Sequence, residues 1–422
     1  MRLKRIYQKI KNTYHLIKAV LANFYFGFPS GRIYIIGVTG TNGKTTTAQM
    51  ISRILEKAGY KVAMSSTINF KIGSEEWVNK TKFTTRSAWD VQRFIKRTAD
   101  EKCDYLVLEV SSHSLDQNRI WGTLVDEAVI TNITREHLDY HFTMKEYEEA
   151  KARLFAMTAR NEGIAVLNNN LPDIKNFVFK GMKKYYLYGI KSKKTNLENF
   201  SSELFLPEKI KVRENGSEFT LNKKDFKLSL AGEVNIENAL ASIAVARSQG
   251  VDFGVAAEAL SEINLIPGRM ERVDNKKGVE VIIDYALTPD SMEKLGESIK
   301  KSKKRGRIIW VFGSCGERDR GKRPLMGEIV SRYADVIILT NEDPYNEDPE
   351  RIVKEIQEGV KNKTKGETLR VIMDRKEAIK KAASLANKND TILITGKGAE
   401  ENMMIKGKKV PWNDKRIVEE IL

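Results

Sequence analysis

The sequence predicts an α/β protein in which a phosphate-loop domain with a mostly parallel sheet is followed by a second, Rossmann-like α/β domain. Residues 37–47 form a glycine-rich turn between a buried-strand pattern at 33–36 and a helical pattern at 48–58. Further apolar runs typical of buried strands then alternate with helical spacing. The alternation begins again after residue 266, and 422 residues are too many for one core.

The first domain is expected to hold its polar functional residues at the ends of its strands. Strand patterns lie at 62–64, 105–110, 128–131 and 165–167, with helical patterns at 87–100 and 145–158. Ligands of parallel sheets bind beyond the carboxyl ends of the strands. Residues 109–119 and 131–141 should therefore meet the glycine-rich turn. The lysine-, glutamate- and asparagine-rich region 185–228 predicts short, exposed β-hairpins, and a helix begins within 230–240.

The second domain shows its own alternation of strands and helices. The predicted strands are 280–286, 307–312, 335–340, 369–373 and 391–395, and the predicted helices are 288–301, 322–333, 349–361 and 374–388. We therefore divide the chain into a basic, apolar helical segment (1–30), a central nucleotide-binding domain (31–265) and a C-terminal Rossmann-like domain (266–422).

The net charge of +16 raises the possibility of nucleic-acid binding. The basic residues are scattered among acids, without an arginine-rich tail or an aromatic-basic motif, so no nucleic-acid partner is expected. Anionic small substrates or a membrane surface explain the charge equally well. Cys103 and Cys315 lack metal-ligand spacing, which favours a reducing, cytoplasmic location. A monomer is expected.

Residues 1–30 superficially resemble a signal peptide, because lysines and an arginine precede an apolar run at 16–26. No small-residue cleavage site follows, and Lys18 interrupts a run that is already short for a membrane span. Two interpretations stay open. The segment forms a basic helix on a membrane surface, or it forms a helix packed on the body of the protein.

The glycine-rich turn has the composition of a phosphate-binding loop. Its glycines allow backbone N–H groups to face phosphate oxygens, Lys44 can reach the terminal phosphates, and the Thr45 hydroxyl can ligate Mg²⁺. Its spacing is unusual, because Val38 stands five residues before Gly43. Glu109 and His137 follow strands that flank this turn and predict Mg²⁺ held against a nucleotide. His141, Asp116 and Asp139 are better explained as residues that satisfy loop backbone.

Together, segments 39–47, 109–119, 131–155, 232–238, 267–272, 284–289, 313–327 and 396–400 resemble the Mur ligase family of ATP-dependent, amide-forming enzymes of peptidoglycan assembly. The likeness is strongest to members that add the third peptide residue, and it runs in family order from about residue 33 to the end. It implies that ATP phosphorylates a donor carboxylate to an acyl phosphate, which the amine of an amino acid then attacks.

The resemblance also implies a role for each matched residue. Lys44 stabilises the β- and γ-phosphates, Thr45 and Glu109 hold one Mg²⁺, His137 helps to hold a second, and Lys151 is the lysine that becomes carbamylated to serve the metal site. The remaining ATP contacts are Gly40, Thr41, Asn42, Gly43, Thr46, Asn235, Asn238, Arg269 and Asp284. The residues matched to the donor, a peptidoglycan-precursor-like peptide, are Thr84, Thr85, Ser111, Gln117 and Arg119. The residues matched to the amino-acid acceptor are Arg318, Glu342, Asp343, Pro344, Tyr345, Gly396 and Glu400.

Several positions depart from the family pattern. Arg86 replaces a proline, and Leu287 and Ala399 replace histidines, which puts individual contacts in doubt. About thirty residues precede the phosphate-loop domain, where the family carries a domain for uridine diphosphate. Two interpretations stay open: a docked helix replaces part of that grip, or the donor lacks the nucleotide and is, for example, linked to a lipid. Tyr345 stands where members that use meso-diaminopimelate have an arginine. We therefore expect an acceptor without a distal carboxylate, with lysine as the leading candidate.

Two other classes of function compete with an amide ligase. One is a phosphoryl-transfer enzyme or nucleotide switch that uses the same loop, and amine-dependent phosphate release would separate it from a ligase. The other is a non-catalytic, ATP-binding relative, which the missing histidines allow. The combination of Lys44, Glu109, His137 and Lys151 favours the ligase over both.

Overall fold

The computed structural model describes residues 2–81, 83–191, 197, 200–213, 215–302 and 306–422. The first part of the chain has helices α1 Arg2–Phe26, α2 Lys44–Lys57, α3 Ala88–Asp100, α4 Ser112–Asp116, α5 Leu138–His141, α6 Met144–Arg160, α7 Glu233–Ser248 and α8 Phe253–Ser261. Its strands are β1 Tyr34–Thr39, β2 Val62–Ser65, β3 Asn69–Ile72, β4 Glu75–Val78, β5 Tyr105–Glu109, β6 Glu127–Ile130, β7 Ile164–Asn168, β8 Lys184–Tyr188, β9 Ser202–Phe205, β10 Lys209–Arg213, β11 Gly216–Leu221 and β12 Lys224–Leu228.

The second part repeats the α/β pattern with a smaller sheet. Its strands are β13 Glu271–Val273, β14 Glu280–Asp284, β15 Ile308–Phe312, β16 Val336–Leu339, β17 Leu369–Val371, β18 Thr391–Thr395, β19 Asn402–Ile405 and β20 Lys408–Pro411. Its helices are α9 Pro289–Ser302, α10 Lys322–Tyr333, α11 Pro349–Gln357, α12 Arg375–Leu385 and α13 Asp414–Ile421. The predicted α/β class is confirmed.

The first sheet places the phosphate loop at a crossover point. Among the described residues its strand order is β4-β3-β2-β5-β1-β6-β7-β8-β9. Strand β1 lies parallel to β5 on one side and to β6 on the other. The chain therefore leaves β1 between two strands whose carboxyl ends carry the polar segments 109–119 and 131–141, which is where ligands of such sheets bind.

Alternating side chains of the first sheet fill two cores. Ile36, Val38 and Val107 face helices α2 and α7, whereas Ile35 and Leu106 face α3 and α6. Burial on both faces explains why these strands are almost continuously apolar in sequence. The second sheet, in the order β13-β14-β18-β15-β16-β17, is likewise covered on both faces.

The prediction for 185–228 was wrong in part. Strand β8 is a buried parallel strand between β7 and β9, and Tyr185 and Tyr188 are almost fully buried. Only β10, β11 and β12 form the expected antiparallel meander. The apolar run Tyr185–Tyr188 was the signal for a core strand. The charged residues around it concealed that signal.

Helix α1 packs against the body of the first domain, chiefly on α3, which was one of the two interpretations open for residues 1–30. Among the described residues, no helix is both long enough and apolar enough to cross a bilayer.

Candidate active site

The phosphate loop turns tightly between β1 and α2. Gly40 and Gly43 both have positive φ, at 144° and 82°. A Cβ atom at Gly40 would lie 1.8 Å from Thr131 Oγ1, and one at Gly43 would lie 2.4 Å from Asn238 Oδ1. Only glycine fits these two positions, because the space beside each backbone is already filled. The Thr41 backbone N–H donates to the Asn132 carbonyl at 2.8 Å, which fixes the loop against the segment after β6.

Two buried lysines converge on one carbonyl of this loop. Lys44 Nζ donates to the carbonyl oxygens of Thr41 and Gly40, at 2.8 and 3.1 Å. Lys151 Nζ, from α6, donates to the same Gly40 oxygen at 2.7 Å. Burial lowers the pKa of Lys44. Burial first, and the Lys44 charge second, hold the pKa of Lys151 well below its usual range. Lys151 is thus no solvated surface charge, and its amine tends toward the neutral form.

A carboxylate and an imidazole near the loop each have a buried atom that is available to a ligand. Glu109 is fully buried at the end of β5; its Oε2 accepts from Thr67 Oγ1 at 2.7 Å, but its Oε1 has no hydrogen-bond partner among the described residues. His137 has left-handed backbone with φ of 57°, and its buried Nδ1 likewise makes no hydrogen bond to the part of the chain that the structure describes. Burial first, and His113 second, keep the pKa of His137 well below its usual value, so the ring is neutral. Unpaired buried atoms and backbone strain concentrate at functional sites.

These donors fit Mg²⁺ shared with a nucleotide. Across the described ranges, no group of three or more His, Cys, Asp and Glu side chains is arranged to hold a metal ion alone. Mg²⁺ typically takes one or two protein carboxylates and completes its shell with phosphate oxygens and water. The Oε1 of Glu109 supplies such a carboxylate oxygen, and the neutral Nδ1 of His137 adds a nitrogen donor. We call Lys44, Glu109, His137 and Lys151 the phosphate-loop cluster.

The residues matched to the donor are joined in one network. Thr85 Oγ1 donates to the Glu109 carbonyl and accepts from the Ser111 N–H, both at 3.0 Å. Arg119 Nη1 donates to the Thr85 carbonyl at 3.0 Å, and its Nε donates to Gln117 Oε1 at 2.8 Å. The structure therefore brings these residues together beside the phosphate-loop cluster.

Two further positions adjoin this network. Thr84 Oγ1 accepts from Thr67 Oγ1, the same hydroxyl that contacts Glu109. Arg86, in place of the family proline, lies over the Phe70 ring at 4.4 Å from its centroid. Its guanidinium contributes to packing at the sheet edge.

Asn235 and Asn238 bond within the protein. Asn235 Nδ2 donates to the Ala231 carbonyl at 2.8 Å, at the start of α7. Asn238 Oδ1 accepts from Thr47 Oγ1 at 3.3 Å and lies against Gly43. Asn235 thus ties α7 to the backbone that precedes it, and Asn238 supports the phosphate loop.

The second domain reaches the phosphate loop through Arg269. Its Nη2 donates to Thr45 Oγ1 at 3.2 Å, and its guanidinium lies 4.5 Å from the centroid of the Tyr285 ring. Asp284 turns toward backbone instead, accepting from the N–H groups of Met270 and Ala286 at 2.8 and 2.7 Å. Burial raises the pKa of Asp284.

Sequence reasoning missed two contacts that join the domains beside the loop. Asn42 Nδ2 donates to Asp290 Oδ2 at 3.0 Å. Lys322, at the start of α10, forms a 3.0 Å ion pair with Glu136, and both side chains are about 95% buried or more. Burial acts to lower the pKa of Lys322, but Glu136 together with Cys315 and Glu342 outweighs burial, and the pKa is raised. The partners are 186 residues or more apart, so local patterns carry no signal for them.

A second cluster, the acceptor cluster, gathers Arg318, Glu342, Asp343, Tyr345, Lys397 and Glu400 in the C-terminal domain. The Arg318 guanidinium lies 5.9 Å from the centroid of the Tyr345 ring. Tyr345 has left-handed backbone, with φ of 53°, and its N–H donates to the Met404 carbonyl. The preceding Pro344 packs its carbonyl close to Gly316, which fixes this loop on the next one.

The lysine of this cluster is already paired. Lys397 is fully buried and contacts Asp343 Oδ2 at 2.9 Å as well as the Glu400 carboxylate. These carboxylates outweigh burial and raise the pKa of Lys397. The negative charge of Asp343, which would favour an ammonium group of the acceptor, is taken up by Lys397. Lys397 is equally unsuited to replace an arginine that binds a substrate carboxylate.

Glu342, in the acceptor cluster, has one carboxylate oxygen that is available to a ligand. Its Oε1 accepts from Cys315 Sγ at 3.1 Å, while its buried Oε2 has no hydrogen-bond partner within the described ranges. Burial raises the pKa of Glu342. The adjacent Gly396 N–H donates to the Asp284 carbonyl at 3.2 Å, which ties the cluster to the ATP-facing end of β14.

Comparison with known proteins gives a consistent result. Residues 38–246 match the family described as "Mur ligase middle domain", and residues 268–398 match "Mur ligase, glutamate ligase domain". The UDP-N-acetylmuramoyl-L-alanyl-D-glutamate–2,6-diaminopimelate ligase of Syntrophomonas wolfei subsp. wolfei is 37% identical over 409 residues, which cover 96% of this chain and 81% of that protein.

Two other matches agree with it. The UDP-N-acetylmuramyl-tripeptide synthetase of a Roseiflexus species is 37% identical over 413 residues, covering 94% of this chain and 80% of its own. A solved structure of a UDP-N-acetylmuramoyl-L-alanyl-D-glutamate–2,6-diaminopimelate ligase superposes with a TM-score of 0.60 at 30% identity, over 92% of this chain and 78% of that one.

Proposed function

The chain belongs to the Mur ligase family of ATP- and Mg²⁺-dependent amide ligases, and we propose that it adds an amino acid to a muramoyl-dipeptide-type carboxylate in peptidoglycan precursor synthesis. The observation that carries this proposal is the position of the donor network directly beside the phosphate-loop cluster. A carboxylate held by Arg119 and its neighbours lies next to the place where a γ-phosphate meets Lys44. The division of the chain at residues 30 and 265 is part of this proposal.

The proposed reaction has two balanced steps. The donor carboxylate attacks the γ-phosphate, and ADP leaves as an acyl phosphate forms. The acceptor amine then attacks the acyl carbon, a proton leaves the nitrogen, and inorganic phosphate departs. Lys44 counters phosphate charge in the first step, and Arg269 brings a second cation to the loop from the other domain.

We assign two Mg²⁺ ions to the phosphate-loop cluster, with Thr45 and Glu109 at one and His137 at the other. Bound Mg²⁺ neutralises phosphate charge and aligns the transferring group. Lys151 is proposed to be carbamylated. Its lowered pKa leaves a neutral amine, the form that adds CO₂ and releases a proton. Carbamylation would replace this neutral amine with an anion, beside the Gly40 carbonyl on which two lysines converge.

For the acceptor, we propose an amino acid without a distal carboxylate, with lysine the leading candidate. Arg318 suits the α-carboxylate, and the unpaired Oε2 of Glu342 suits an ammonium group. A distal carboxylate would need a further cation, but Lys397 is committed to Asp343 and Glu400. The second candidate is meso-diaminopimelate, because relatives are named for it.

ATP-driven synthesis from such precursors places the reaction in the cytoplasm, and the proposal includes a monomeric enzyme. A single assay tests the donor and acceptor together. Phosphate release is measured with UDP-linked and lipid-linked muramoyl dipeptides, each against a panel of amino acids. Release that requires both a muramoyl dipeptide and an amino acid supports the proposal. Phosphate release at the same rate with and without an amino acid would contradict it.

A further inference from the structure

Helix α1 is fixed to the first domain along one face. Ala19, Ala22 and Asn23 are completely buried, and Asn23 Nδ2 donates to the Trp121 carbonyl at 2.5 Å. Near the middle of the helix, Asn12 Nδ2 donates to Asp116 Oδ2 at 2.8 Å. The orientation of the helix about its own axis is therefore set at two points along its length.

The opposite face of α1 exposes an apolar stripe, which we define as Tyr7, Ile10, Tyr14, Ile17, Leu21 and Phe24. These side chains are 53% to 70% exposed. At about 100° per residue, they fall within one arc about 100° wide, opposite the buried alanines. The helix has 25 residues and is therefore about 37 Å long. A continuous apolar surface of this length marks an interaction site.

The charge on α1 is of one sign. The helix contains Arg2, Lys4, Arg5, Lys9, Lys11 and Lys18 and no acidic residue. Lys11 and Lys18 are exposed along one flank of the stripe, and Lys9 is exposed toward the other. An apolar arc flanked by cations complements a surface that offers hydrocarbon beneath a layer of negative charge.

We propose that the apolar stripe of α1 docks in the plane of an anionic lipid bilayer. The tyrosines and the phenylalanine suit the interfacial zone, where aromatic side chains are favoured. The alternating spacing of three and four residues would also suit a coiled coil with a second copy. Two copies would, however, bring lysines together without an acidic partner in the helix, and like charges oppose that pairing.

Docking would bring the donor end of the site toward the bilayer. Asp116, which receives α1, also accepts from Tyr140 Oη at 2.9 Å, and Gln117 Nε2 donates to the same hydroxyl at 3.1 Å. Gln117 in turn holds Arg119. The helix thus connects a lipid-facing surface to the donor network through a short chain of hydrogen bonds.

The test is co-sedimentation of the full chain with vesicles. Wild-type protein is expected to sediment with mixed phosphatidylglycerol–phosphatidylcholine vesicles, more weakly at high salt, and little with phosphatidylcholine alone. The double variant Ile10→Asp/Ile17→Asp should lower the partition coefficient at least tenfold. The matched control is Val371→Asp, which charges an exposed apolar residue on β17, in the second domain. It should sediment like wild type.

Thermal unfolding and amine-dependent phosphate release of the double variant should equal wild type, because the stripe touches no site residue. Should that variant misfold, Lys11→Gln/Lys18→Gln takes its place, with binding to anionic vesicles expected to fall severalfold. Equal sedimentation of wild type and variants would overturn the proposal, as would equal binding to vesicles with and without phosphatidylglycerol. If the wild type is a dimer that does not bind vesicles, and the double variant is a monomer, the stripe is instead the contact with a second copy.

Discussion

The lysines of the phosphate-loop cluster bond to carbonyl oxygens, whereas the lysine of the acceptor cluster is paired with carboxylates. In the first, Lys44 and Lys151 have only carbonyl oxygens as hydrogen-bond partners among the described residues, and their pKa values are lowered. In the second, Lys397 lies between Asp343 and Glu400, and its pKa is raised. Lys151 and Lys397 are both buried, so the difference between these two lysines comes from partners and not from exposure.

The contrast indicates which charges the ligands of each cluster supply. In the proposed function, phosphates and a carbamate at Lys151 would balance the positive charge of the phosphate-loop cluster. Mg²⁺ would use the Glu109 and His137 atoms that make no hydrogen bond among the described residues. The acceptor cluster is nearly neutralised internally. It leaves Arg318 and one oxygen of Glu342 for a zwitterionic amino acid. The following predictions test this division, from the largest expected effect to the smallest.

Removing the loop lysine should have the largest effect. Lys44→Ala is expected to lower kcat by about 10³-fold or more, because the charge aimed at the transferring phosphoryl group is lost. The control is Lys57→Ala, which removes a partly exposed lysine from the last turn of the same helix. Phosphate release and circular dichroism would be measured on both. A folded Lys44→Ala protein with near-normal turnover would contradict the role of the cluster.

Removing the second lysine tests the proposed carbamate. Lys151→Ala should lower kcat by about 10²-fold or more, and added acetate or formate should restore part of the activity by supplying the missing carboxylate. Stripping bicarbonate should lower wild-type activity. Acidification should do the same, because protonation of the amine opposes carbamylation. Lys145→Ala, on the same helix but with its side chain 86% exposed, is the control. A carbamate is ruled out if wild-type activity is indifferent to bicarbonate and acetate has no effect on Lys151→Ala.

The junction between the clusters should depend on its buried ion pair. Lys322→Met leaves Glu136 buried without its cation and should cost about 3 kcal/mol of stability. Arg135→Ala breaks the neighbouring Arg135–Asp319 pair, whose arginine is 46% exposed, and should cost less than about 1 kcal/mol. Urea denaturation followed by tryptophan fluorescence gives both values. Equal costs would mean that burial does not distinguish the two pairs.

The smallest expected effect concerns acceptor choice. Wild type should have a higher kcat/KM for lysine than for meso-diaminopimelate. Tyr345→Arg should raise the relative kcat/KM for meso-diaminopimelate by about tenfold, because it adds the cation that a distal carboxylate requires. Tyr345→Phe keeps the ring near Arg318 and should leave the preference unchanged. A wild-type preference for meso-diaminopimelate would refute this interpretation of Tyr345.

Local patterns were sufficient for most secondary structure and for the phosphate loop. The strand before the loop, the helix after it and the alternation of the second domain were predicted because apolar periodicity and glycine placement are local signals. The strand β8 was missed, because its charged surroundings outweighed four apolar residues. The short antiparallel strands β3, β4, β19 and β20 were also not predicted. Their pairing depends on neighbouring strands more than on their own composition.

The sequence by itself determined the α/β class, the phosphate loop and the residue types from which the two clusters are built, because each depends on short-range spacing. Only the tertiary structure decided which partner each of these charged groups has. It paired Asp343 with Lys397, placed Lys151 against Gly40, joined Glu136 to Lys322 and left one face of α1 exposed. These outcomes depend on burial and on partners distant in the chain, and both arise only when the sheets and helices are packed together.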